Sequence, residues 1–583
     1  MRILGLNAYH ADASSALVVD GRVVAAAEEE RFRRAKHWAG LPSKSAGWCL
    51  SSAGLGLADV DVIAINRQPR ANAWRKARHA LVHGTATSLL RDRLSNRRRV
   101  LSVPDLLEQE LSGAFRGRFV RVEHHLAHLA SSFLASPYRE AAVVSVDGFG
   151  DFCSSAWGIG RGTQIRIEGQ VFFPHSLGAF YLALTQYLGF LNYGDEYKVM
   201  GLAAYGVPRF KKELSQVLKP DVDGRFKLGL QFFRHHIEDL AYSWQGGAPT
   251  VGVHYTSELE GLLGPARRSG EEITSHHRDV ACSVQACLED RLFDLLRRVQ
   301  EDSGMEALAL SGGVAMNSVA NGKIRHQTAF KRLYVPPAPG DAGGALGAAL
   351  AVWHRGGNRG KDAPRNNYHG SAYGAEEISD VLHAAAPDIA KVGGVVSLVP
   401  DAETLCGVVA EEIANGAVVG WFQGHMEFGP RALGNRSILA NPARANMRDV
   451  INARIKRRES FRPFAPSILR EHVTEWFTAD DESPHMMKVL EIRPDKRHLI
   501  PAVTHVDGTG RLHTVTKEAN ALYYRLIECL AERTGVPMVL NTSFNENEPI
   551  VRTPEEALAC FLRTDMDLLV LGQQMVSKTR PSA

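Results

Sequence analysis

A chain of 583 residues, 45% apolar and 23% charged, is longer than one hydrophobic core organises, and its length predicts roughly three to four compact units, some of them fused. Globular composition excludes wholesale disorder, and a net charge of +4 excludes a global attraction to nucleic acid or membrane. The 7 cysteines form no CxxC and fit a reducing cytoplasm, and no apolar run is long enough for a signal core or a membrane span.

In chain order, ILGLN predicts a strand, AYHADASS a polar turn carrying His10 and Asp12, ALVVDG a second strand closed by an Asp-Gly turn, and RVVAAAEE a third strand. From Asn66 to Val100 the chain is rich in arginine, with Trp74 nearly its only aromatic. That composition suits a solvated amphipathic insertion better than a base-stacking RNA surface. EHHLAHLASSF predicts a helix on which His124 and His128 project from one face, about 6 Å apart, while His125 points elsewhere.

AAVVSVDG then predicts a buried strand ending in Asp147, followed by a turn FGDFCSS, a strand AWGIG, a turn RGTQ and a strand IRIEGQVFF. This repeats the opening pattern of three strands with an acid in the first turn. The repeat is similar to that of the duplicated actin/hexokinase/heat-shock chaperone (ASKHA) superfamily, whose paired first turns face nucleotide phosphates. A carboxylate at the end of a buried strand needs a cation, a proton or several N–H donors, since an unpaired buried charge costs several kcal/mol.

MEALALSGGVAMNSVANGKI predicts a strand, a glycine turn with Gly312, Gly313 and Asn317, and a helix; PAPGDAGGALGAAL places Asp341 at a second glycine turn before a small-residue helix. Such turns let backbone approach an anion at a helix N-terminus. Neither is GxxxxGK[ST] or GxGxxG, so P-loop and Rossmann binding are not supported. If His124, His128, Asp147 and Asp341 converge, they form a mixed N/O set suited to Fe(II), Mn(II) or Zn(II); otherwise the acids read as helix caps or turn residues. Gly, Asn, Arg and Lys accumulate across 356–372, predicting a linker. Beyond it, strands such as GAVVGWF and PMVLNTSF alternate with helices such as PEEALACFL, a second α/β unit. Arg431, Arg436, Lys456, Arg457, Arg458 and Arg462 cluster there among glycines and prolines, a pattern for phosphate or carboxylate recognition or for interdomain salt bridges. Asn541, Ser543 and Asn545 follow the strand PMVL, a usual place for ligand contacts.

The strings DASSALVVDGRVVAAAEEERF, EHHLAHLASSF, VVSVDGFGD, YKVMGLAAYG, LSGGVAMNSVANGKI, PAPGDAGGALGAAL, MEFGPRALGNRSILANP, FRPFAPSIL and NTSFNENEPIV run in one order through nearly the whole chain. Together they resemble the O-carbamoyltransferase family of the nodulation-factor, cephamycin and tobramycin type. The resemblance implies an actin/hexokinase-like transfer domain at 1–355, the linker, and at 373–583 a YrdC-like α/β domain that makes carbamoyl adenylate from carbamoyl phosphate and ATP. The transfer domain then passes the carbamoyl group to a hydroxylated natural-product or sugar acceptor. By the same resemblance His124, His128, Asp147 and Asp341 are metal ligands, commonly for iron. Lys36, Gly312, Gly313 and Asn317 face the nucleotide, supplied as ATP with Mg, and Arg431, Lys456, Arg462, Arg511 and Ser543 grip carbamoyl phosphate. Where some members read HDAS this chain reads HADAS, leaving His10 and Asp12 as rivals for the role of base. Acceptor contacts are expected in 67–118 and 228–275. No membrane or nucleic-acid partner is expected, a homodimer is compatible, and the metal and acceptor stay open. The alternative from another class is tRNA-directed threonylcarbamoyl-type modification or RNA binding through Arg67 to Arg121.

Overall fold

The structure is a computed structural model describing residues 1–83, 102–238, 242–243, 247–357, 360, 364, 366–459 and 461–578; part of the arginine-rich insertion, 84–101, lies outside them. Two compact units, Met1–Pro364 and Arg365–Ala583, divide the chain. The count is lower than length alone predicts because the first unit holds two sheets that share one buried pair of helices.

In the first unit, β1 (Arg2–Asn7), β2 (Ser14–Val19), β3 (Arg22–Glu28), β4 (Val62–Ile65) and β5 (Arg118–Arg121) form a sheet in the order β3-β2-β1-β4-β5. β6 (Glu140–Gly150), β7 (Cys153–Arg161) and β8 (Gln164–Phe172) are followed by two short ribbons, β9 (Leu218–Pro220) with β10 (Phe226–Leu228) and β11 (Tyr242–Ser243) with β12 (Thr250–Val251). β13 (Ala307–Ser311) and β14 (Arg332–Tyr334) complete a second sheet in the order β14-β13-β6-β7-β8. The two orders are the same. In each sheet an antiparallel triplet is extended by two parallel strands.

After the fifth strand of each set comes a helix, His124–Phe133 in the first and Gly343–Arg355 in the second. Glu123 caps the histidine helix by accepting from Leu126 N at 2.7 Å, and every residue of it but Leu126 is buried. Full burial of a side chain such as Leu129 or Phe133 is worth about 1.5–3 kcal/mol each. The small residues of the glycine helix explain the tight crossing: a Cβ on Gly347 would stand 1.9 Å from Ala127 O, so only glycine lets the backbones meet.

The sequence expectation of a broad turn FGDFCSS is corrected by the structure. β6 and β7 run on to Gly150 and from Cys153, leaving Asp151 and Phe152 as a two-residue hairpin with φ of 51° and 72°. Two positive φ values match the strand twist of a tight hairpin. The ladder slips between Val146 and Gly150, an irregularity that re-aims Asp147.

The second unit is one nine-stranded mixed sheet. Its strands are β15 (Gly394–Leu398), β16 (Val419–Phe422), β17 (Arg436–Ala440), β18 (Ala465–Leu469), β19 (Lys488–Glu491), β20 (Thr509–Val515), β21 (Met538–Ser543), β22 (Leu568–Leu571) and β23 (Gln574–Lys578), in the order β15-β23-β22-β16-β17-β21-β18-β20-β19. Alternate residues feed two cores. Trp421, Leu439, Val539 and Val570 pack with the helices Ala402–Ala414 and Ala521–Thr534, while Phe422, Ile438, Leu540 and Leu571 pack with Pro554–Arg563. Burial on both faces explains why these strands read as continuous apolar runs.

Arg436 departs from both readings of the arginine string. It is fully buried, its guanidinium donates to the carbonyls of Ser371 at 2.8 Å, Asn435 at 2.9 Å, Gly424 at 3.0 Å and also Gln423, and it lies 3.7 Å over the Phe422 ring. It clamps backbone instead of an anion or another unit, because carbonyls crowd the end of β17. No helix among the described residues is long and apolar enough to cross a membrane.

Candidate functional site

The duplicated topology brings three separated segments of the first unit to one point. His124 and His128 come from the first turns of the histidine helix, Asp147 from the irregular end of β6, and Asp341 from the bend ahead of the glycine helix. All four are buried, and one donor atom from each lies within 4.8 Å of all the others. The two Nε2 atoms are 3.0 Å apart; Asp147 Oδ2 is 3.2 Å from that of His124 and 3.0 Å from that of His128, and Asp341 Oδ1 is 3.5 and 3.4 Å away.

The surroundings fix these groups. Asp147 Oδ1 accepts from Gly148 N at 2.8 Å and Gly313 N at 3.1 Å, leaving Oδ2 for the imidazoles. Gly312, at φ 88°, lets that loop pass Val146, where a Cβ would stand 2.2 Å from its carbonyl oxygen. Asp151 Oδ2 accepts from His124 N at 3.0 Å and Gln68 N at 2.8 Å, tying the helix start to the hairpin. His125, which does point elsewhere, bonds Ser145 Oγ at 2.9 Å, and burial pushes it down to about 3.

Burial alone would depress the His128 imidazole, but hydrogen bonds to Asp147 and Asp341 and their charges overcome it and raise it to about 10. Burial likewise opposes ionisation of the acids, yet the imidazoles hold Asp147 well below the usual carboxylate range, and His10 above all does the same for Asp341. Two ionised carboxylates and two imidazoles converging in a buried space demand positive charge. Protons or one divalent cation supply it, and the donor set suits a borderline transition metal.

His10 and Asp12, separated only by Ala11, have different partners. His10 Nδ1 is 2.5 Å from Asp341 Oδ2. Asp12 Oδ1 is 2.8 Å from His37 Nδ1, and with Glu30 these form the other group of potential ligands found among the described residues. Tyr9 and Asp12, at φ 56° and 55°, turn the chain between them so that the two side chains diverge. Lys36 is exposed beside Glu30 and His37. Asn317 caps the helix Ser318–Gln327 through Ala320 N at 3.0 Å and exchanges hydrogen bonds with Gln285.

In the second unit, Arg431, Arg458, Arg511, Asn541 and Ser543 line one pocket with Pro463, Phe464 and Met486. Burial, followed by the charges of Arg431 and Arg458, pulls the Arg511 guanidinium well below its ordinary pKa. The lining holds three arginines and no carboxylate, a composition that suits an anion. Lys456 and Arg462 are not in that lining. The Lys456 ammonium donates to Ser543 O and Asn545 O at 2.6 Å and to Asn545 Oδ1 at 2.7 Å, anchoring the turn that carries Ser543, and Arg462 pairs with Glu459 at 2.8 Å. Sequence reasoning left Asp151 out of the site and did not separate Arg458 from its neighbours. Asp151 is an acid in a hairpin beside the histidines, the one signal that pointed to it.

Two family models match, "Carbamoyltransferase N-terminus" over residues 2–350 and "Carbamoyltransferase C-terminus" over residues 410–578. The chain belongs to the carbamoyltransferase family and is an enzyme of that class. The nodulation protein NolNO of Sinorhizobium fredii is 39% identical over 99% of this chain and 80% of its own length. The 3'-hydroxymethylcephem-O-carbamoyltransferase of Streptomyces clavuligerus is 34% identical over 50% of this chain and 53% of its own. Among solved structures, component A of the (R)-2-hydroxyglutaryl-CoA dehydratase of Acidaminococcus fermentans matches 61% of this chain and 100% of its own at 14% identity, with a TM-score of 0.33.

Proposed function

We propose that the chain is an ATP-dependent O-carbamoyltransferase, with an ASKHA-type transfer domain in the first unit and a YrdC-like, carbamoyl-adenylate-forming domain in the second. The observation that carries this reading is the convergence of His124, His128, Asp147 and Asp341 in a chain that both carbamoyltransferase models match. The name of the cephem relative supports a hydroxyl as the acceptor.

In the second unit, the pocket of Arg431, Arg458 and Arg511 would grip the phosphate of carbamoyl phosphate through its oxygens, with Ser543 beside it. Water releases phosphate, the freed carbamate oxygen attacks the α-phosphorus of ATP, and pyrophosphate leaves. Carbamoyl adenylate is then used in the first unit, where the acceptor oxygen forms the new C–O bond and AMP departs. Gly312, packed against Val146, and Gly313, whose N–H donates to Asp147 Oδ1, would present backbone to the adenylate. His10 is the better placed of the two candidate bases. Its Nδ1 lies 2.5 Å from Asp341 Oδ2, which would hold the proton on Nδ1 and leave Nε2 to take the proton of the acceptor hydroxyl. The buried four-residue set would hold a divalent transition cation, Fe(II) by the family resemblance, which when bound supplies positive charge against the departing AMP.

Purified protein given carbamoyl phosphate, ATP and Mg should release pyrophosphate. No release after loading with Fe(II), Mn(II) or Zn(II) in turn would overturn the reading.

A further inference from the structure

Beyond Asp147 the first unit assembles rings that the chemistry above does not use. Phe149 stands two residues after Asp147 on β6, and Phe152 sits in the hairpin whose Asp151 holds His124 N. Phe173 lies between them, 5.1 Å from Phe149 and 5.0 Å from Phe152 by ring centroids. His79 meets Phe173 edge-on at 5.0 Å, His235 stands 5.5 Å from Phe149, and His254 stacks on His235 at 6.1 Å. Three distant segments thus converge on the β6–β7 hairpin, and His79 belongs to 67–118 while His235 and His254 belong to 228–275, the stretches in which acceptor contacts are expected.

The polar detail is specific. His235 Nε2 donates to Pro174 O at 2.9 Å, which fixes the tautomer and leaves Nδ1 as a lone pair; that atom is buried and has no hydrogen-bond partner among the described residues. Burial pushes His235 down to about 4 and lowers His254 as well, so both imidazoles are neutral at physiological pH. An unsatisfied buried acceptor walled by aromatic rings calls for a hydroxyl or N–H donor on a flat, apolar body. Phe152 keeps φ 72° in the hairpin, a conformation a bulky side chain rarely adopts, which turns its ring toward Phe173.

We infer that Phe149, Phe152, Phe173, His79, His235 and His254 form the acceptor subsite, and that it takes an uncharged alcohol bearing an aromatic or flat ring, whose second polar hydrogen bonds His235 Nδ1. The inference rests on the transfer reading of the neighbouring His/Asp cluster. The six named rings carry no carboxylate to pair with a polycationic acceptor, whereas ring stacking and one accepted hydrogen bond suit an aryl glycoside or a phenolic tailoring substrate.

The test is binding of phenyl β-D-glucopyranoside by the full chain, compared with methyl β-D-glucopyranoside, measured by calorimetry or saturation-transfer NMR. The phenyl compound should bind about tenfold more tightly, the size of one aromatic stacking contact. Phe149→Leu should erase most of that preference, and His235→Phe, which keeps the ring volume but removes the lone pair, should weaken both glucosides about three- to tenfold. No preference for the phenyl compound in wild type, or a preference that survives Phe149→Leu in a variant with wild-type circular dichroism, would overturn the inference. Failure of the transfer reading is seen separately, as absence of labelled-carbamoyl transfer to any alcohol by metal-loaded protein supplied with carbamoyl adenylate, whatever affinity the glucosides show.

Discussion

The cluster of the first unit and the pocket of the second are opposite solutions to one electrostatic problem. In the first, two carboxylates and two imidazoles from three segments face one another within 4.8 Å, so the space demands positive charge, as protons or a divalent cation. In the second, Arg431, Arg458 and Arg511 line one pocket with no carboxylate in the lining, and burial followed by the charges of Arg431 and Arg458 lowers Arg511, a setting that suits an anion. Arg436 shows the contrast with a structural cation: equally hidden, it satisfies itself on four carbonyls. The composition of each lining, acidic with imidazoles in one unit and arginine-rich in the other, indicates the sign of the ligand that would suit it.

The largest effect should come from the first unit. His128→Ala should abolish carbamoyl transfer to an alcohol, by about 10³-fold or more, and empty the cation site, while pyrophosphate release from carbamoyl phosphate and ATP stays within several-fold of wild type. Equal loss of both activities would show that the two units do not divide the chemistry. His10→Gln should lower transfer by about 10²–10³-fold without loss of bound metal, because it removes the proton acceptor and keeps Asp341 hydrogen-bonded; metal analysis beside a labelled-carbamoyl assay separates the two effects.

Arg511→Ala tests the other side. Hydrogen bonds to charged groups are worth about 1.5–3 kcal/mol, so KM for carbamoyl phosphate should rise about 10–100-fold in the pyrophosphate assay. Transfer from carbamoyl adenylate supplied directly should be unaffected. A smaller effect concerns the Asp12–His37 pair. Burial alone would lower His37, but Asp12 raises it to about 9 from 6.5. Because the folded value lies above the ordinary one, the pair stabilises fully below about pH 6.5 and its contribution fades as pH rises through about 9. With the side chains 27% and 26% exposed, solvent screening limits this to about 1–2 kcal/mol. Wild-type Tm should therefore drop a few degrees more than that of His37→Gln between pH 6.5 and 9.5, and parallel curves would contradict the assignment.

Much of the first unit was legible because its central strands are short apolar runs, buried throughout, that repeat with the same turn chemistry; ILGLN and VVSVD announce equivalent strands. The identity of the two sheet orders was not, since β4, β5, β13 and β14 are only 3–5 residues long and pair with strands far away in sequence. The ligand set could be written down from His124, His128, Asp147 and Asp341, but their convergence depends on the helix crossing at Gly347, where packing and not periodicity decides. His10 and Asp12 could not be told apart because two positive φ values separate their directions. Lys456 and Arg462 resemble pocket residues in their motifs, yet local carbonyls and Glu459 engage them. A cation's partner is set by what folds around it, which a string of basic residues does not record.

The central claim is that the buried His/Asp set holds a cation, and metal content tests it most directly. Protein purified without oxygen and loaded with Fe(II), Mn(II) or Zn(II), then passed through a desalting column, should retain about one equivalent per chain of at least one of these metals, and Asp341→Ala should retain little. Wild type that retains none, or an Asp341→Ala variant that retains as much as wild type, would contradict it.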